Sequence, residues 1–278
     1  MVRTAVLITV YNRRDVTLQG LRSLEVAINN LKGNYLFDIY LTDDGCTDGT
    51  SEAVQEEFPD ITIINGNGSL FWGGGMRSAW IKALESSIVY DYFLWYNDDS
   101  LLYNDSLISL FKPANKNSII VGAFCDKNSN PSYGGRENGS VVVPNGQTQE
   151  ITLMNGNLVL IPYSVYQVLG MIDKHFVHGE GDFDYGLRAR HSGFHIILTS
   201  KYVGIAERHD EYIPKYCLST YSFMDRWKFL HSPIYSPKNH FVFNYRYKGI
   251  MRAIFSLLVC YMGVIFPSVY VKMKTYNF

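Results

Sequence analysis

The chain has 278 residues, 47% of them hydrophobic, and a formal net charge of −1, which is ample for a packed core. Its four cysteines, Cys46, Cys125, Cys217 and Cys260, are scattered without a CxxC pair, which excludes a cysteine-built metal site and points to a reducing cytoplasm. The apolar run Ala5 to Val10 is too short for a signal peptide and reads as a first strand.

Residues 4–10 form that strand, and Tyr11-Asn12-Arg13-Arg14 follows as a loop. Asp15 is a candidate cap for a helix whose apolar stripe is Leu21, Leu24, Ile28 and Leu31, ended by Gly33-Asn34. A second strand, Phe37 to Leu41, runs into Asp43-Asp44-Gly45-Cys46-Thr47-Asp48-Gly49-Thr50. Thr47, Asp48 or Thr50 can cap the helix that reaches Phe58, and Ile61 to Ile64 is a third strand. This strand–helix alternation implies a parallel sheet with right-handed crossovers.

Next comes Asn65-Gly66-Asn67-Gly68 and the turn Trp72-Gly73-Gly74-Gly75-Met76-Arg77, which opens a helix through Ala79, Trp80, Ala83, Leu84 and Ile88. A glycine loop before a helix is an anion site by geometry, and glycine loops are also plain turns. The pattern is neither GxGxxG after the first strand nor GxxxxGK[ST].

Tyr92 to Tyr96 is an unbroken apolar run, as in a strand buried on both faces, and it stops in Asn97-Asp98-Asp99. Open α/β sheets bind ligands at such carboxyl ends. Adjacent carboxylates repel unless a cation or donors such as ribose hydroxyls hold them; alone, the motif reads first as a polar turn, and the rest of the chain changes that. Residues 101–111 read as helix and 118–124 as strand. Residues 126–150, rich in Asn, Ser, Gly and Pro, read as an excursion without chemistry of its own. Asn155-Gly156-Asn157 leads into strand Leu158 to Ile161 and a short helix, Ser164 to Leu169.

Glu180, Asp182 and Asp184 then precede a helix with Arg188, Arg190 and His191 toward its end and Gly193 at its stop. That order suits the helix dipole, and it also places a carboxylate where a general base is expected. His195 to Thr199 is a further strand, Val203 to Ala206 follows, and His209 is a possible metal ligand.

Together these pieces resemble the family 2 glycosyltransferases. The matching residues are Val10-Tyr11-Asn12-Arg13, Asp43 to Thr50, Gly73 to Arg77, Asn97-Asp98-Asp99, and Asp182-Phe183-Asp184 with Leu187-Arg188 and Gly193, in order over roughly 4–210. The resemblance implies a nucleotide-diphospho-sugar transferase (GT-A) fold, an α/β, Rossmann-like, mostly parallel sheet flanked by helices, with a C-terminal helical extension. It implies an inverting transfer in which Asp182 deprotonates the acceptor hydroxyl. Tyr11, Asn12, Arg13, Asp43, Asp44, Trp72, Gly75, Arg77, Asn97 and Asp98 would bind the nucleotide-sugar, with Asp43 at the nucleobase. Asp99 and His209 would hold a divalent metal, Mn²⁺ or Mg²⁺, at the diphosphate. The family's Glu-Asp pair is here Glu180-Gly181-Asp182. A UDP- or dTDP-sugar donor is expected. A sugar-1-phosphate nucleotidyltransferase and a non-catalytic scaffold are the rival readings; the first lacks its glycine-rich loop after strand one.

The charge is unevenly spread. Residues 226–278 carry eight basic and no acidic side chains, leaving 17 basic against 26 acidic in 1–225. Within that tail, residues 253–271 hold no charge at all, with Pro267 inside the run. The expectation is a catalytic domain, 1–215, and a basic, aromatic, helical segment, 216–278, that lies on or dips into an anionic membrane surface rather than spanning it, the alternative being a helix packed on the catalytic domain or in a dimer interface. By resemblance, bacterial members with such tails build O-antigen (lipopolysaccharide) or capsule units as rhamnosyl- or hexosyltransferases. The acceptor would then be a polyprenyl-diphosphate-linked saccharide at the cytoplasmic face of the plasma membrane, with no nucleic-acid partner.

Overall fold

The computed structural model describes residues 1–137, 139–208 and 213–275, the last four by backbone alone. The chain divides into two compact units: residues 1–174 with 181–208, and residues 175–180 with 209–278.

The first unit runs β1 (Val2–Val10), α1 (Arg14–Asn30), β2 (Tyr35–Asp43), α2 (Thr50–Glu57), β3 (Thr62–Asn65), α3 (Phe71–Glu85), β4 (Tyr92–Tyr96), β5 (Leu101–Leu102), α4 (Ser106–Phe111) and β6 (Ser118–Cys125). It continues with β7 (Gly135–Glu137), β8 (Ser140–Val141), β9 (Gln149–Glu150), β10 (Leu153–Met154), β11 (Leu158–Pro162), α5 (Tyr163–Leu169), α6 (Gly181–His191) and β12 (His195–Ile205). The main sheet has the order β3-β2-β1-β4-β11-β6-β12-β5, with β9 also beside β12. Strands β3, β2, β1 and β4 are mutually parallel, as are β6 and β12, while β11 is antiparallel to both of its neighbours.

The pleat sorts the core. Ala5 and Leu7 of β1, with Phe93 and Trp95 of β4, face one side, against Met76, Ala79 and Trp80 of α3 and Tyr185 of α6. Val6, Ile8 and Val10, with Leu94 and Tyr96, face the other, against Leu21 and Leu24 of α1 and Val54 of α2. Both faces are therefore covered, which is why these strands read as unbroken apolar runs.

Two expectations change. Residues 101–111 are not one helix: Leu101 and Leu102 pair with Ile205 and Gly204 at the sheet edge, and the helix begins only at Ser106. Asp15 does not cap α1; the Arg14 amide donates instead to Asp48 Oδ2 at 3.0 Å, so the loop after β2 caps the helix after β1.

In the second unit a 3-10 turn at Lys215–Cys217 precedes α7 (Phe223–Leu230), α8 (Pro237–Lys248), α9 (Ile250–Ile265) and α10 (Pro267–Thr275). Tyr216, Cys217, Leu230, Cys260, Val264 and Tyr270 form its core. The short segment 175–180 belongs here: Phe176 packs on Phe243, and Glu180 Oε1 lies 2.7 Å from His240 Nδ1. The uncharged run 253–271 is split where Pro267 stops α9, and among the described residues no helix is long and apolar enough to cross a membrane.

Candidate active site

The parallel strands β2, β1 and β4 end along one edge of the sheet, with Val10 opposite Asp43. Antiparallel β11 begins at that same edge, since Leu158 pairs with Tyr96. The chain topology thus gathers Tyr11-Asn12-Arg13, Asp43-Asp44, Asn97-Asp98-Asp99 and Asn155-Gly156-Asn157 at the carboxyl ends of the strands.

The first two loops are tied together. Asn12, at φ 48°, accepts the Thr47 amide on Oδ1 at 2.7 Å, and its own amide donates to Cys46 Sγ. Asp43 accepts the Cys46 amide at 2.6 Å and the Ser51 hydroxyl. Burial alone would raise the Asp43 carboxyl, but these donors hold it below its usual value. Asp44 accepts three backbone amides, from Gly68, Leu70 and Phe71, at 2.8–3.1 Å. Its carboxylate therefore organises the loop that starts α3. Tyr11, next in the chain after β1, is about half exposed.

Arg13 is the hub of the next pair. Its guanidinium reaches Asp98 Oδ1 with one nitrogen and Asp99 Oδ2, at 2.7 Å, with another. That cation is what lets two adjacent carboxylates coexist. Asp98 points inward, fully buried, and also accepts the Thr17 hydroxyl at 2.6 Å. Burial pushes its carboxyl up to about 6 despite Arg13. Asp99 keeps 17% of its side chain exposed. Asn97 accepts the Trp72 indole N–H on Oδ1 at 2.8 Å.

The glycine turn is not a free loop. Helix α3 starts at Phe71, so Gly73, Gly74 and Gly75 lie in its first turns. A Cβ on Gly75 would sit 2.3 Å from Thr9 Cγ2, so this residue lets α3 touch β1. Arg77 donates to the Asp173 carbonyl at 3.4 Å, and no ion pair joins it to Asp43, Asp98, Asp99 or Asp182.

Asp182 is delivered by α6. Tyr185 packs on Trp95, which also meets Trp72 edge-on, so one aromatic chain sets the helix against the sheet. Arg188 reinforces it by pairing with Asp184 at 2.8 Å and donating to the Leu169 and Met171 carbonyls. Asp184 and Arg188 are thus structural partners. The Asp182 carboxylate accepts the amides of Gly156 and Phe183, each at 2.9 Å. A Cβ on Gly156 would strike the Trp72 ring at 2.6 Å and lie 3.4 Å from Asp182 Cβ, so Trp72 and Asp182 flank this glycine closely. Burial pushes the Asp182 carboxyl up to about 6, against the pull of its two amides and of Arg136.

Sequence reading missed Arg136, Gly156 and Thr17. The stretch 126–150 is not without chemistry: its strand β7 carries Arg136, whose Nε donates to Asn155 Oδ1 at 3.3 Å and whose charge acts on Asp182. A basic residue in a stretch rich in Gly, Ser and Asn was the only available signal. Glu180, two residues before Asp182, belongs to the second unit and pairs there with His240.

A divalent cation can be accommodated in part by these residues. Of the Asp98–Asp99 pair, Asp99 is the one left partly accessible, and among the described residues no group of three His, Cys, Asp or Glu converges to hold a metal. A hard cation held by one carboxylate and completed by substrate phosphate oxygens is a common arrangement for Mg²⁺. His209 lies outside the described residues.

The sequence profile of glycosyl transferase family 2 matches residues 5–169. The chain belongs to glycosyl transferase family 2. Asp182 lies beyond the matched segment of this glycosyltransferase. No curated protein matches the sequence. Among solved structures, the family 2 chain is similar to the mannosyltransferase PcManGT from Pyrobaculum calidifontis in complex with GDP-Man and Mn²⁺. The TM-score is 0.54 at 16% identity, over 99% of this chain and 75% of that one. It is also similar to S. aureus TarS in complex with UDP, with TM-score 0.51 at 14% identity, over 73% of this chain and 60% of that one. These likenesses show the GT-A fold.

Proposed function

We propose that this glycosyltransferase inverts the anomeric centre of a UDP- or dTDP-sugar by single displacement, using Asp182 as the base. The observation that carries this reading is the Asp182 carboxylate, perturbed by burial and held by two backbone amides beside Trp72 and Gly156, at the strand edge that bears Asn97-Asp98-Asp99. Asp182 takes the proton of an acceptor hydroxyl as that oxygen bonds to the sugar C1, and the C1–phosphate oxygen bond breaks on the opposite face. One base is enough for this chemistry. Asp43 and the loop it orders would receive the nucleobase. Asp99, with diphosphate oxygens, would hold Mn²⁺ or Mg²⁺, which would neutralise charge on the departing nucleoside diphosphate. The acceptor in this reading is a polyprenyl-diphosphate-linked saccharide of surface polysaccharide assembly, O-antigen or capsule, met at the inner face of the plasma membrane. The basic tail supports the membrane part, and the solved neighbour with GDP-Man and Mn²⁺ supports a metal-assisted nucleotide-sugar site.

The test is a thermal-shift screen of the whole chain against UDP-, dTDP- and GDP-sugars, each with and without Mn²⁺. A donor at 100 times its Kd adds roughly 2.7 kcal/mol to stability. A shift with a UDP- or dTDP-sugar that needs Mn²⁺ and weakens in Asp99→Asn supports the reading. A GDP-sugar alone would overturn the donor assignment, and no shift from a folded sample would overturn the site.

A further inference from the structure

Strands β10, β7 and β8 form a small three-stranded sheet apart from the main one. They have two, three and two residues, and strands this short are marginal by themselves. Arg136 of β7 lies opposite Leu153 of β10, and β10 runs directly into Asn155-Gly156-Asn157. That tripeptide is held at each of its residues. The Asn155 amide donates to the Gly134 carbonyl at 2.8 Å, and its buried side chain accepts Arg136 Nε on Oδ1 at 3.3 Å. The Gly156 amide donates to Asp182 Oδ2 at 2.9 Å, and the Asn157 carbonyl accepts the Asn97 amide at 2.9 Å. Arg136 Nη1 also donates to the carbonyl of Gly139, between β7 and β8, at 3.4 Å. One guanidinium therefore joins the small sheet to the loop that meets Asp182.

We propose that Arg136 is a positioning residue of the transfer: through Asn155 it fixes the peptide whose Gly156 amide orients the Asp182 carboxylate. This role rests on Asp182 being the base. The planar fork of arginine suits it, because two of its nitrogens donate in different directions to fixed acceptors. Charge adds a second effect. Burial raises the Asp182 carboxyl, the Phe183 and Gly156 amides pull it back, and the Arg136 charge adds to that pull. Other charged side chains on the elements around Asp182 have partners of their own. Asp184 pairs with Arg188 on α6, Glu137 of β7 accepts the Thr152 hydroxyl, and Arg77 of α3 donates to the Asp173 carbonyl. Strand β10 and residues 155–157 carry no charge. Arg136 thus reaches Asp182 twice, through the amide it helps to place and through its positive charge. A base must be aimed as well as ionised, and a misplacement of about 1 Å can cost on the order of 10²-fold in rate.

The test reads the Asp182 carboxyl directly. The full chain, labelled with carbon-13 at its aspartate carboxyls, is titrated by NMR, and the Asp182 resonance is the one that disappears in Asp182→Asn. In Arg136→Met the Asp182 midpoint should rise by about 0.5–1 pH unit. Arg136→Gln keeps a donor for Asn155 and should raise it too, and it is the neutral variant to use if Arg136→Met does not fold. Arg136→Lys keeps the charge and should titrate near the parent. Positioning is read by hydrolysis of the UDP- or dTDP-sugar that shifts the melt, with water as the acceptor. There the neutral variant should lose at least about tenfold in kcat, with the donor KM changed by less than about twofold. A midpoint that stays at the parent's value in the neutral variants overturns the inference, as does an unchanged kcat. Arg136→Lys shifted as far as the neutral variants overturns it as well. A lower melting temperature with neither midpoint nor kcat moved would make Arg136 a staple of the small sheet only. Failure of the base assignment shows separately, as an Asp182→Asn variant that hydrolyses the sugar nucleotide as fast as the parent.

Discussion

Burial pushes both Asp98 and Asp182 up to about 6, and the shift of Asp182 bears on the proposed transfer. As the proposed base, Asp182 must be ionised to act, so transfer should fall away below pH about 6, where burial has moved this carboxyl. A pH–rate profile of the parent should show that acidic limb, and Asp182→Asn should lose it together with roughly 10²–10⁴-fold of rate. Stability should move the opposite way. A carboxyl whose folded pKa is raised contributes stability below its unfolded pKa and loses it as pH rises through about 6. At neutral pH the folded chain therefore holds an unfavourably desolvated, partly exposed charge, and Asp182→Asn should be the more stable protein, with the gain vanishing toward pH about 4. Urea titrations at both pH values measure it; a loss of stability at neutral pH would show that the two amide bonds outweigh the burial. Arg13 should behave differently. Removing it leaves Asp98 buried with Thr17 but without its cation, so Arg13→Met should cost about 2–4 kcal/mol of stability as well as activity.

Among the elements, α3 shows how a motif can be legible while its role is not. The run Gly73-Gly74-Gly75 reads as an anion-binding loop, yet it lies inside the helix and Gly75 meets Thr9 of β1. Gly75→Ala should destabilise by about 1–3 kcal/mol through overpacking. Thr9→Ala in the same chain should restore part of that loss, and a double-mutant cycle by chemical denaturation reads the coupling. Strands β1, β2, β4 and β11 could be placed from apolar runs alone because both faces of each are covered. The edge pieces could not. Leu101-Leu102 carries no periodicity in two residues, and its strand state depends on β12, about a hundred positions later. The cap of α1 by Asp48 depends likewise on a loop from another strand.

Viewed as a whole, the molecule has two compact units, and three of its four tryptophans, Trp72, Trp80 and Trp95, lie in the first. Trp227→Phe leaves fluorescence as a probe of that unit alone. With a saturating nucleotide-sugar and Mn²⁺, the fluorescence-detected melt of this variant should shift upward. The parent melt, to which Trp227 also contributes, should contain a Trp227 component that shifts less than this, because binding stabilises the unit that holds the site. Equal shifts would mean that the chain unfolds as one cooperative body.

The sequence by itself determined the alternating strands and helices, the carboxylates at strand ends, the family, and the split between an acidic body and a basic, apolar tail. These are local properties: periodicity, adjacent charges and the composition of a contiguous stretch are all written within a few turns of chain. Tertiary structure decided what each of those residues is free to do. It turned Asp98 inward to Thr17 while Asp99 stayed accessible, and it committed Asp44 to three backbone amides. It brought Arg136 to Asp182 from a stretch that looked inert, and gave Glu180 to His240. A carboxylate's chemistry depends on its burial and its donors, and these come from segments tens of residues away that only the folded sheet brings together.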